Sequence, residues 1–427
     1  MQEKVYQQKT NNELILVLVL SALMAFASLS TDFYLPALPL MSESLFGNAE
    51  LTVGGFLFGY ALGQLFWGGI SDKFGRKPPL FFALFIFIIG SVACAESQSI
   101  SEIVSWRVVQ AIGASCAPVT ARAIVRDLFD KQAAATVFST LTMIMTIVPI
   151  TAPLIGGWIL HLTVWNSLFM FLALIGFVMI FSICFITESL PQEIRTPVKF
   201  SRTFSSYKPL LLNYNFMRYA FCFGFYYTGI FAFIIASPFV YKTFGIDAQH
   251  YGYLFALNIF GVMAMSALNK QLLKVLNTQQ ILTTAIITIS VAAVILAIGT
   301  LRNFAGLWFI VGLIVIIFSA NGVIAACCTA NALHQVSPQQ AGSASAILGA
   351  LQYVGGVPAS LCLTLFGNSA AAMGVLICLF SLLSLFCILK QTAPKMPKIF
   401  KKKTNKKENN GENKTENKPE NNEHIKA

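Results

Sequence analysis

The chain has 427 residues, of which 56% are hydrophobic and only 11% are charged. A soluble globular protein carries about 25% charged residues, so this composition excludes a water-covered exterior and predicts one that faces lipid. The formal net charge of +11 does not indicate a nucleic-acid partner, because residues 391–427 hold ten lysines and five glutamates, hence +5, and short loops hold the rest.

Apolar stretches long enough to span a bilayer, about 20 residues each, recur along the whole chain. The first follows a polar N-terminus without a cleavage site after it, which favours a retained span over a removable signal peptide. Twelve such stretches are predicted, near 14–36, 50–70, 78–97, 102–122, 135–160, 166–187, 214–238, 251–269, 280–299, 304–326, 341–366 and 369–390.

Basic residues lie almost entirely in loops of one parity. The loops of the other parity contain only Lys242 and Arg302. By the positive-inside rule, both termini are predicted to be cytoplasmic and the number of spans even. The residues on the basic side are Lys4, Lys9, Lys73, Arg76, Lys77, Arg122, Arg126, Lys131, Arg195, Lys199, Arg202, Lys208, Lys270 and Lys274.

The segment GGISDKFGRK, residues 68–77, separates the second and third apolar stretches. It is interpreted as a short charged loop, in which glycines permit a sharp turn and close helix packing. The segment resembles the loop between spans two and three of the major facilitator superfamily of transporters. An ordinary basic membrane-anchoring turn is the alternative. The residues assigned to this cytoplasmic motif are Gly68, Asp72, Gly75, Arg76 and Lys77.

Asp32 is the one acidic residue that the sequence places within a membrane span. An acid at this depth costs free energy unless it faces protein or water, and burial and a nearby cation act on it in opposite directions. It is therefore a candidate for proton exchange, with an external helix-end cap as the alternative. Arg107, in the outer half of span four, is its candidate partner, and the R-x-x-Q-x-x-G pattern there resembles a motif of the drug:proton antiporter branch.

Two further groups of residues suggest conformational control. At the inner end of span four, Arg126 and Asp127 are predicted to join Asp72, Arg76 and the start of span eleven near 338–342 in a cytoplasmic latch; helix-end charges in water are the alternative for Asp127. Span five contains bend-permitting residues in an arrangement that resembles the antiporter motif of exporters, with Ala152 where glycine is usual. These are Pro149, Pro153, Gly156 and Gly157.

The longest polar interruption, residues 188–214, divides the spans six and six. This predicts an all-α integral membrane fold of twelve helices in two pseudo-symmetric six-helix bundles. The predicted boundaries are 1–190 for the first bundle, 191–213 for a cytoplasmic linker and 214–390 for the second bundle. Residues 391–427 are predicted to be a disordered basic cytoplasmic tail, because they contain too few apolar residues to fold.

No chemistry-bearing constellation suggests an enzyme or a resident cofactor. The nine cysteines lie in apolar runs and are interpreted as buried apolar residues, and no metal site is predicted. A phosphate-binding loop of the G-x-x-x-x-G-K-[ST] type is absent. Transport is therefore expected to use an ion or solute gradient, with protons as the coupling ion, or to be passive.

Taken together, STDFYLPALPL, GGISDKFGRK, WRVVQAIG with ARAIVRDLF, and APLIGGWI resemble the Bcr/CflA group of multidrug-resistance transporters. The resemblance implies a monomer in the bacterial inner membrane that exports small molecules in exchange for protons by alternating access, with Asp32 as proton carrier and Arg107 as its modulator. An uptake facilitator or symporter and a non-transporting receptor remain alternatives. The predicted cavity lining is Tyr34, Tyr226, Tyr227, Asn258, Asn321, Gln352 and Tyr353.

Overall fold

The computed structural model describes residues 2–129, 131–192, 195, 207–337 and 340–389, and these residues form helices and connecting turns without a β-strand. A 3-10 helix, Leu35–Ala37, joins the first two α-helices. The helices are α1 (Gln2–Asp32), α2 (Leu38–Ser44), α3 (Glu50–Phe74), α4 (Lys77–Glu96), α5 (Ile100–Leu128), α6 (Lys131–Leu162), α7 (Trp165–Cys184), α8 (Tyr214–Thr243), α9 (Ala248–Leu272), α10 (Thr278–Leu301), α11 (Leu307–Ser319), α12 (Asn321–Leu333), α13 (Ala341–Val354), α14 (Gly356–Phe366) and α15 (Ala370–Leu389).

Eleven helical segments among the described residues are long and apolar enough to cross a membrane, and a shorter apolar segment, Ile147–Leu162, lies in α6. Helix α6 itself has 32 residues, which at 1.5 Å per residue gives a length of about 48 Å, enough to cross. The predicted all-helical membrane fold is therefore confirmed. The predicted domain boundaries stay a prediction, and residues 193–194, 196–206 and 390–427 lie outside the described residues.

The segment 68–77 is not the loop that the sequence predicted. Helix α3 continues to Phe74 and α4 begins at Lys77, so only two residues form the turn. Gly75 has a φ of +95°, a conformation that L side chains rarely adopt, and it therefore makes the turn. Asp72 lies in the last turn of α3 instead of in a loop, because glycines within an apolar helix lower its stability without ending it.

Helix α1 ends in the middle of its span, at Asp32. Pro36 lacks an N–H donor and its ring opposes the carbonyl four residues earlier, which is that of Asp32. The span continues through the 3-10 helix Leu35–Ala37 and then α2. The break leaves carbonyls of the last turn of α1 without helical donors.

Helices of the first and second halves of the chain pack along two seams. Helix α3 contacts α13 and α14, and α6 contacts α9. At the α6–α9 seam, a Cβ built on Gly157 would collide with the carbonyl oxygen of Ala248. At the α3–α14 seam, a Cβ on Gly54 would lie 2.6 Å from the hydroxyl oxygen of Ser360. Small residues thus let the helices approach closely along both seams.

The helix assembly has two ends, the basic end and the opposite end. The basic end carries residues 72–77, 122–128 and 185–190. The opposite end carries residues 43–50, 96–100 and 242–248. Side chains cap the starts of α5, α8, α9 and α10; at the opposite end, for example, the Asp247 carboxylate accepts a hydrogen bond of 2.7 Å from the backbone N–H of His250 at the start of α9.

Candidate transport site

Arg107 is fully buried in α5 at the level where α1 breaks. Its Nη1 donates to the carbonyl oxygen of Ser30, at 3.2 Å, and to Oε1 of Gln110, at 2.6 Å. The guanidinium carbon lies 4.2 Å from the ring centroids of both Tyr34 and Phe56. Cation–π contacts of this kind contribute about 2 kcal/mol when desolvated, so aromatic faces and a freed helix carbonyl hold the cation.

The predicted ion pair between Asp32 and Arg107 is not formed. Among the described residues, the ion pairs do not include either side chain. Nε and Nη2 of Arg107 are buried without a hydrogen-bond partner. The reason is the break in α1, which offers Arg107 the Ser30 carbonyl two residues before the acid. The two groups therefore lie at the same break without neutralising each other.

Asp32 is 8% exposed, and along the first span it lies between Ser28, which lines one cavity, and Pro36, which lines another. It is within electrostatic range of Tyr353 and Tyr251, both from the second half of the chain. Tyr353 lines a cavity of about 800 Å³ that extends to the basic end. Tyr251 lines a cavity of about 290 Å³ at the opposite end, together with Pro36 and Lys242.

The larger cavity lies between the two halves of the chain. Its deep end is marked by Tyr60 and Tyr353, whose ring centroids are 4.4 Å apart, and its mouth by Asp72 and Arg126 at the basic end. Between them the wall carries amides, hydroxyls and one further cation, Arg122. A wall of apolar and aromatic groups with few polar ones is typical of a small-molecule site.

The structure places only two of the seven predicted lining residues on this cavity, Gln352 and Tyr353. The others lie elsewhere and have partners of their own. Tyr34 is buried against Arg107 and its hydroxyl contacts Thr52. The remaining contacts, all within the second half, are Tyr226 Oη to the Ile317 carbonyl, Tyr227 Oη to Asn321 Oδ1, and Asn258 Nδ2 to the Leu254 carbonyl. Tyr60, Gln64 and Arg122 were missed.

At the basic end, Arg76 organises a network of carboxylates. Its side chain is buried, donates from Nη1 to Asp72 Oδ1 at 2.6 Å and from Nε to Asp127 Oδ2 at 2.7 Å, and also contacts Ser71. Asp127 in addition accepts from the hydroxyl of Ser189 at 3.2 Å. The network therefore ties the ends of α3 and α5 to the segment that follows α7.

Glu188 completes this network, although no role was predicted for it from the sequence. Its carboxylate accepts from the backbone N–H groups of Arg76, at 2.9 Å, and Lys77, at 3.0 Å, and so caps the start of α4. Burial alone would raise the pKa of the Glu188 carboxyl, but these hydrogen bonds, one from the Leu190 N–H and the nearby Arg195 charge together lower its pKa. Glu188 is thus held as a carboxylate.

The predicted latch to the start of span eleven is not formed among the described residues. All described contacts of the network join parts of the first half, and Arg126 is exposed on the cavity wall outside the network. Gly342 lines the same cavity, while residues 338 and 339 lie outside the described residues. Asp127 belongs to the network, in place of the helix-end charge in water that was its alternative.

The bend-permitting residues of α6 lie on both sides of the helix. Pro149 and Pro153 lie inside the helix. A Cβ on Gly156 would collide with the carbonyl oxygen of Phe33, next to Asp32, and Gly157 meets α9 as described above. Helix α6 therefore fits between the break in α1 and the second half of the chain.

At the opposite end, contacts cross between the halves. Lys242 at the end of α8 pairs with Glu43 of α2. The hydroxyl of Ser360 in α14 donates to the backbone carbonyl of Glu50 at 2.8 Å. Glu50 is only 2% exposed, and its Oε2 is buried without a partner. Glu50 is the first residue of α3, and α14 packs over this turn.

Comparisons with known proteins agree with this architecture. The family model described as Major Facilitator Superfamily matches residues 20–360. An "Uncharacterized MFS-type transporter YdgK" of Bacillus subtilis is 31% identical over 370 residues, covering 85% of this chain and 92% of that protein. The bicyclomycin resistance protein homolog of Haemophilus influenzae is 29% identical, covering 86% and 93%. Multidrug resistance protein D of Escherichia coli is 27% identical, covering 89% and 96%.

Solved structures share the fold at low sequence identity. The partially occluded inward-open xylose transporter XylE of Escherichia coli matches with a TM-score of 0.70 and 13% identity, covering 90% of this chain and 98% of that one. The human organic anion transporter MFSD10 matches with a TM-score of 0.64 and 18% identity, covering 88% and 99%. The chain belongs to the major facilitator superfamily, as a multi-pass membrane transporter and not an enzyme. Its relatives are of the Bcr/CflA drug-transporter type.

Proposed function

We propose that the chain is a proton-coupled antiporter that exports small drugs or metabolites across the bacterial cytoplasmic membrane by alternating access. Both termini and the basic end face the cytoplasm in this proposal. The observation that carries it is the position of Asp32, an acid between a cavity from the basic end and a cavity from the opposite end.

The arrangement suits a carrier that exchanges protons for substrate. With the contacts of Glu43 and Ser360 closing the opposite end, the large cavity is accessible from the basic end. Rocking of one half against the other about the seams would expose Asp32 to the other side. Arg107 stays within the first half through Ser30 and Gln110, so it remains at the break in α1 where Asp32 lies.

The energy that one proton supplies is sufficient for useful export. Inward movement of one charge through 100 mV releases about 2.3 kcal/mol, and a tenfold concentration ratio corresponds to about 1.4 kcal/mol. One proton per cycle therefore holds a gradient of a neutral compound of roughly fifty-fold. The bicyclomycin and multidrug resistance proteins among the relatives support export over uptake.

The test is flux in proteoliposomes with and without an imposed pH gradient. Wild-type protein should drive uphill movement of a neutral compound, and Asp32→Asn should abolish this movement while exchange without a gradient persists. Glu96→Gln is the matched control, because Glu96 is exposed at the end of α4 and is not among the residues that line either cavity. Uphill transport by Asp32→Asn would refute the assignment.

The same assay separates the alternatives. An uptake facilitator would show flux that is insensitive to the proton gradient. A non-transporting receptor would show no flux of any compound in the panel, although it would still bind one.

A further inference from the structure

We propose that the cavity at the basic end binds amphiphilic anions, compounds with one carboxylate or sulfonate on an apolar body, and that Arg122 is the residue that selects them. This inference rests on the proposed export function for its biological meaning. It concerns the charge of the substrate, which neither the fold nor the family relationship specifies.

The cavity wall carries positive charge that a ligand can reach. Arg122 and Arg126 both line the cavity and both are exposed to it. They are one helical turn apart on α5, hence on one face. Neither belongs to an ion pair or hydrogen bond given for the described residues. Two guanidinium groups are thus available to a ligand from the same side.

The acidic side chain on the cavity wall, that of Asp72, already has a cation as its partner. Asp72 is bound by Arg76 at 2.6 Å, and Arg76 is bound in turn by Asp127. Asp32 does not line this cavity, although it lies close to Tyr353 at its deep end. The charged residues among the described lining are Arg76, Arg122 and Arg126 against Asp72, and with Asp127, which also binds Arg76, the sum is +1.

The neutral part of the cavity wall suits the apolar body of such a ligand. Tyr60 and Tyr353 form an aromatic pair at the deep end, and both lie within electrostatic range of Arg122. Met24, Leu65 and Pro118 add apolar surface. A ligand whose anionic group meets Arg122 can therefore lay an apolar body against this surface. A guanidinium also matches the two oxygens of a carboxylate or sulfonate.

A cationic amphiphile fits this wall poorly. It would lose part of its hydration beside two unpaired guanidinium groups, and like charges brought together in a partly desolvated site repel. An anionic substrate also changes the energetics of exchange. Export of one anion for one inward proton moves two charges in the same electrical sense, so the membrane potential acts twice per cycle, compared with once for a neutral substrate.

The experiment measures equilibrium binding to the full chain in phosphatidylcholine nanodiscs, which needs no transport. The probes are three naphthalene fluorophores of nearly equal size: dansyl sulfonate, the neutral dansylamide and the cationic dansyl ethylenediamine. We expect the sulfonate to bind about tenfold more tightly than the neutral probe, and the cation most weakly. Equal affinities, or the cation binding best, would overturn the proposal.

Variants identify the residue. Arg122→Gln should lower sulfonate affinity about tenfold and leave dansylamide affinity unchanged. Arg122→Lys should restore most of it, because the charge is kept. Lys274→Gln, which removes an exposed charge after α9, is the control for general surface potential and should have no effect. If Arg122→Gln weakened all three probes alike, the residue would be structural and the proposal wrong.

An anionic lipid headgroup presents the same chemistry as an amphiphilic anion. If the site selects a small-molecule anion, adding 20% phosphatidylglycerol to the nanodiscs should leave the sulfonate affinity unchanged. A collapse of that affinity would show that the lipid competes for the site, would assign the site to lipid and would refute a small-molecule anion. The result is independent of proton coupling. If Asp32→Asn transported uphill while the sulfonate preference held, only the assignment of Asp32 as proton carrier would fail. If Asp32→Asn abolished uphill transport but the sulfonate showed no preference, only the proposed anion selectivity would fail.

Discussion

The two ends of the molecule are held together in different ways. At the basic end, a buried arginine, three carboxylates and two backbone N–H groups form a dense network, but all of its described contacts lie within the first half. At the opposite end, the described polar contacts that join the halves are an exposed ion pair and one hydrogen bond from a side chain to the backbone.

The difference separates rigidity from switching. A network that is confined to one half keeps α3, α4, α5 and the segment after α7 in register, and movement between the halves does not break it. Contacts that cross between the halves must break whenever the opposite end opens, so they need to be weak. An exposed ion pair contributes about 0–1 kcal/mol, which suits a contact that forms and breaks in every cycle.

The largest effect is expected from Arg76→Ala. Removing this guanidinium leaves Asp127 and Asp72 without their common cation, and breaking a buried pair in this way costs about 3 kcal/mol. Thermal unfolding in detergent should show a clear loss of stability. Lys73→Ala is the control, because Lys73 is exposed and contacts only the Phe74 ring in the described structure. If the two variants were equally stable, the network would not stabilise the first half.

A smaller effect is expected from pH acting on Glu188. Its pKa is lowered in the folded protein, so it stabilises the fold above the usual glutamate pKa of about 4.3. That stability is lost as the pH falls through the lower folded-state value. Glu188→Gln keeps an acceptor for the N–H groups without the charge, and should cost less than about 1 kcal/mol at pH 7.

The pH dependence of unfolding checks this prediction. Between pH 6 and pH 3, the wild type should lose more stability than Glu188→Gln, so that the two curves converge at low pH. Parallel curves would mean that other carboxylates account for the acid sensitivity of the basic end.

The smallest energetic effect is expected from Glu43→Gln at the opposite end. The pair with Lys242 is about half exposed on both sides, so unfolding should change by at most about 1 kcal/mol. The conformational equilibrium should nevertheless shift, by up to about fivefold, towards forms open at this end. Labelling of a cysteine introduced at Ala49, which is buried at this end, would measure it.

The charge-swapped double variant sharpens the comparison. Glu43→Lys with Lys242→Glu restores the attraction with the order reversed, and labelling should return towards the wild-type rate. Slow labelling of Glu43→Gln itself would show that the ion pair does not hold the opposite end closed.

The sequence predicted the fold class and singled out Asp32 for sound physical reasons. Apolar stretches of membrane length are a direct signal, and an acid in such a stretch is rare enough to be noticed. The pairing with Arg107 was wrong because it assumed continuous helices. The break imposed by Pro36 was visible in the sequence, but the carbonyl that it offers to Arg107 becomes evident only once the packing of α1 and α5 is known.

The cavity lining was the least predictable part. In a water-soluble helix the polar face marks the exterior, but here both the lipid side and the packed side of each helix are apolar, so periodicity does not distinguish them. Tyr226 and Tyr60 are similar residues in similar helices, yet only Tyr60 lines the cavity. Glu188 was equally hidden, because its partners at the start of α4 lie more than 100 residues away in the chain.

Pro36 sets the position of the acid by covalent chemistry alone. Because proline has no backbone N–H, neither substrate, pH nor lipid can restore the missing helical hydrogen bond in the first span. The break therefore persists throughout the transport cycle. Replacing Pro36 with alanine would let the helix run on, and each residue added to it turns the following side chains by about 100°. Pro36 thus determines whether Tyr34 and its neighbours face Arg107 or turn away from it.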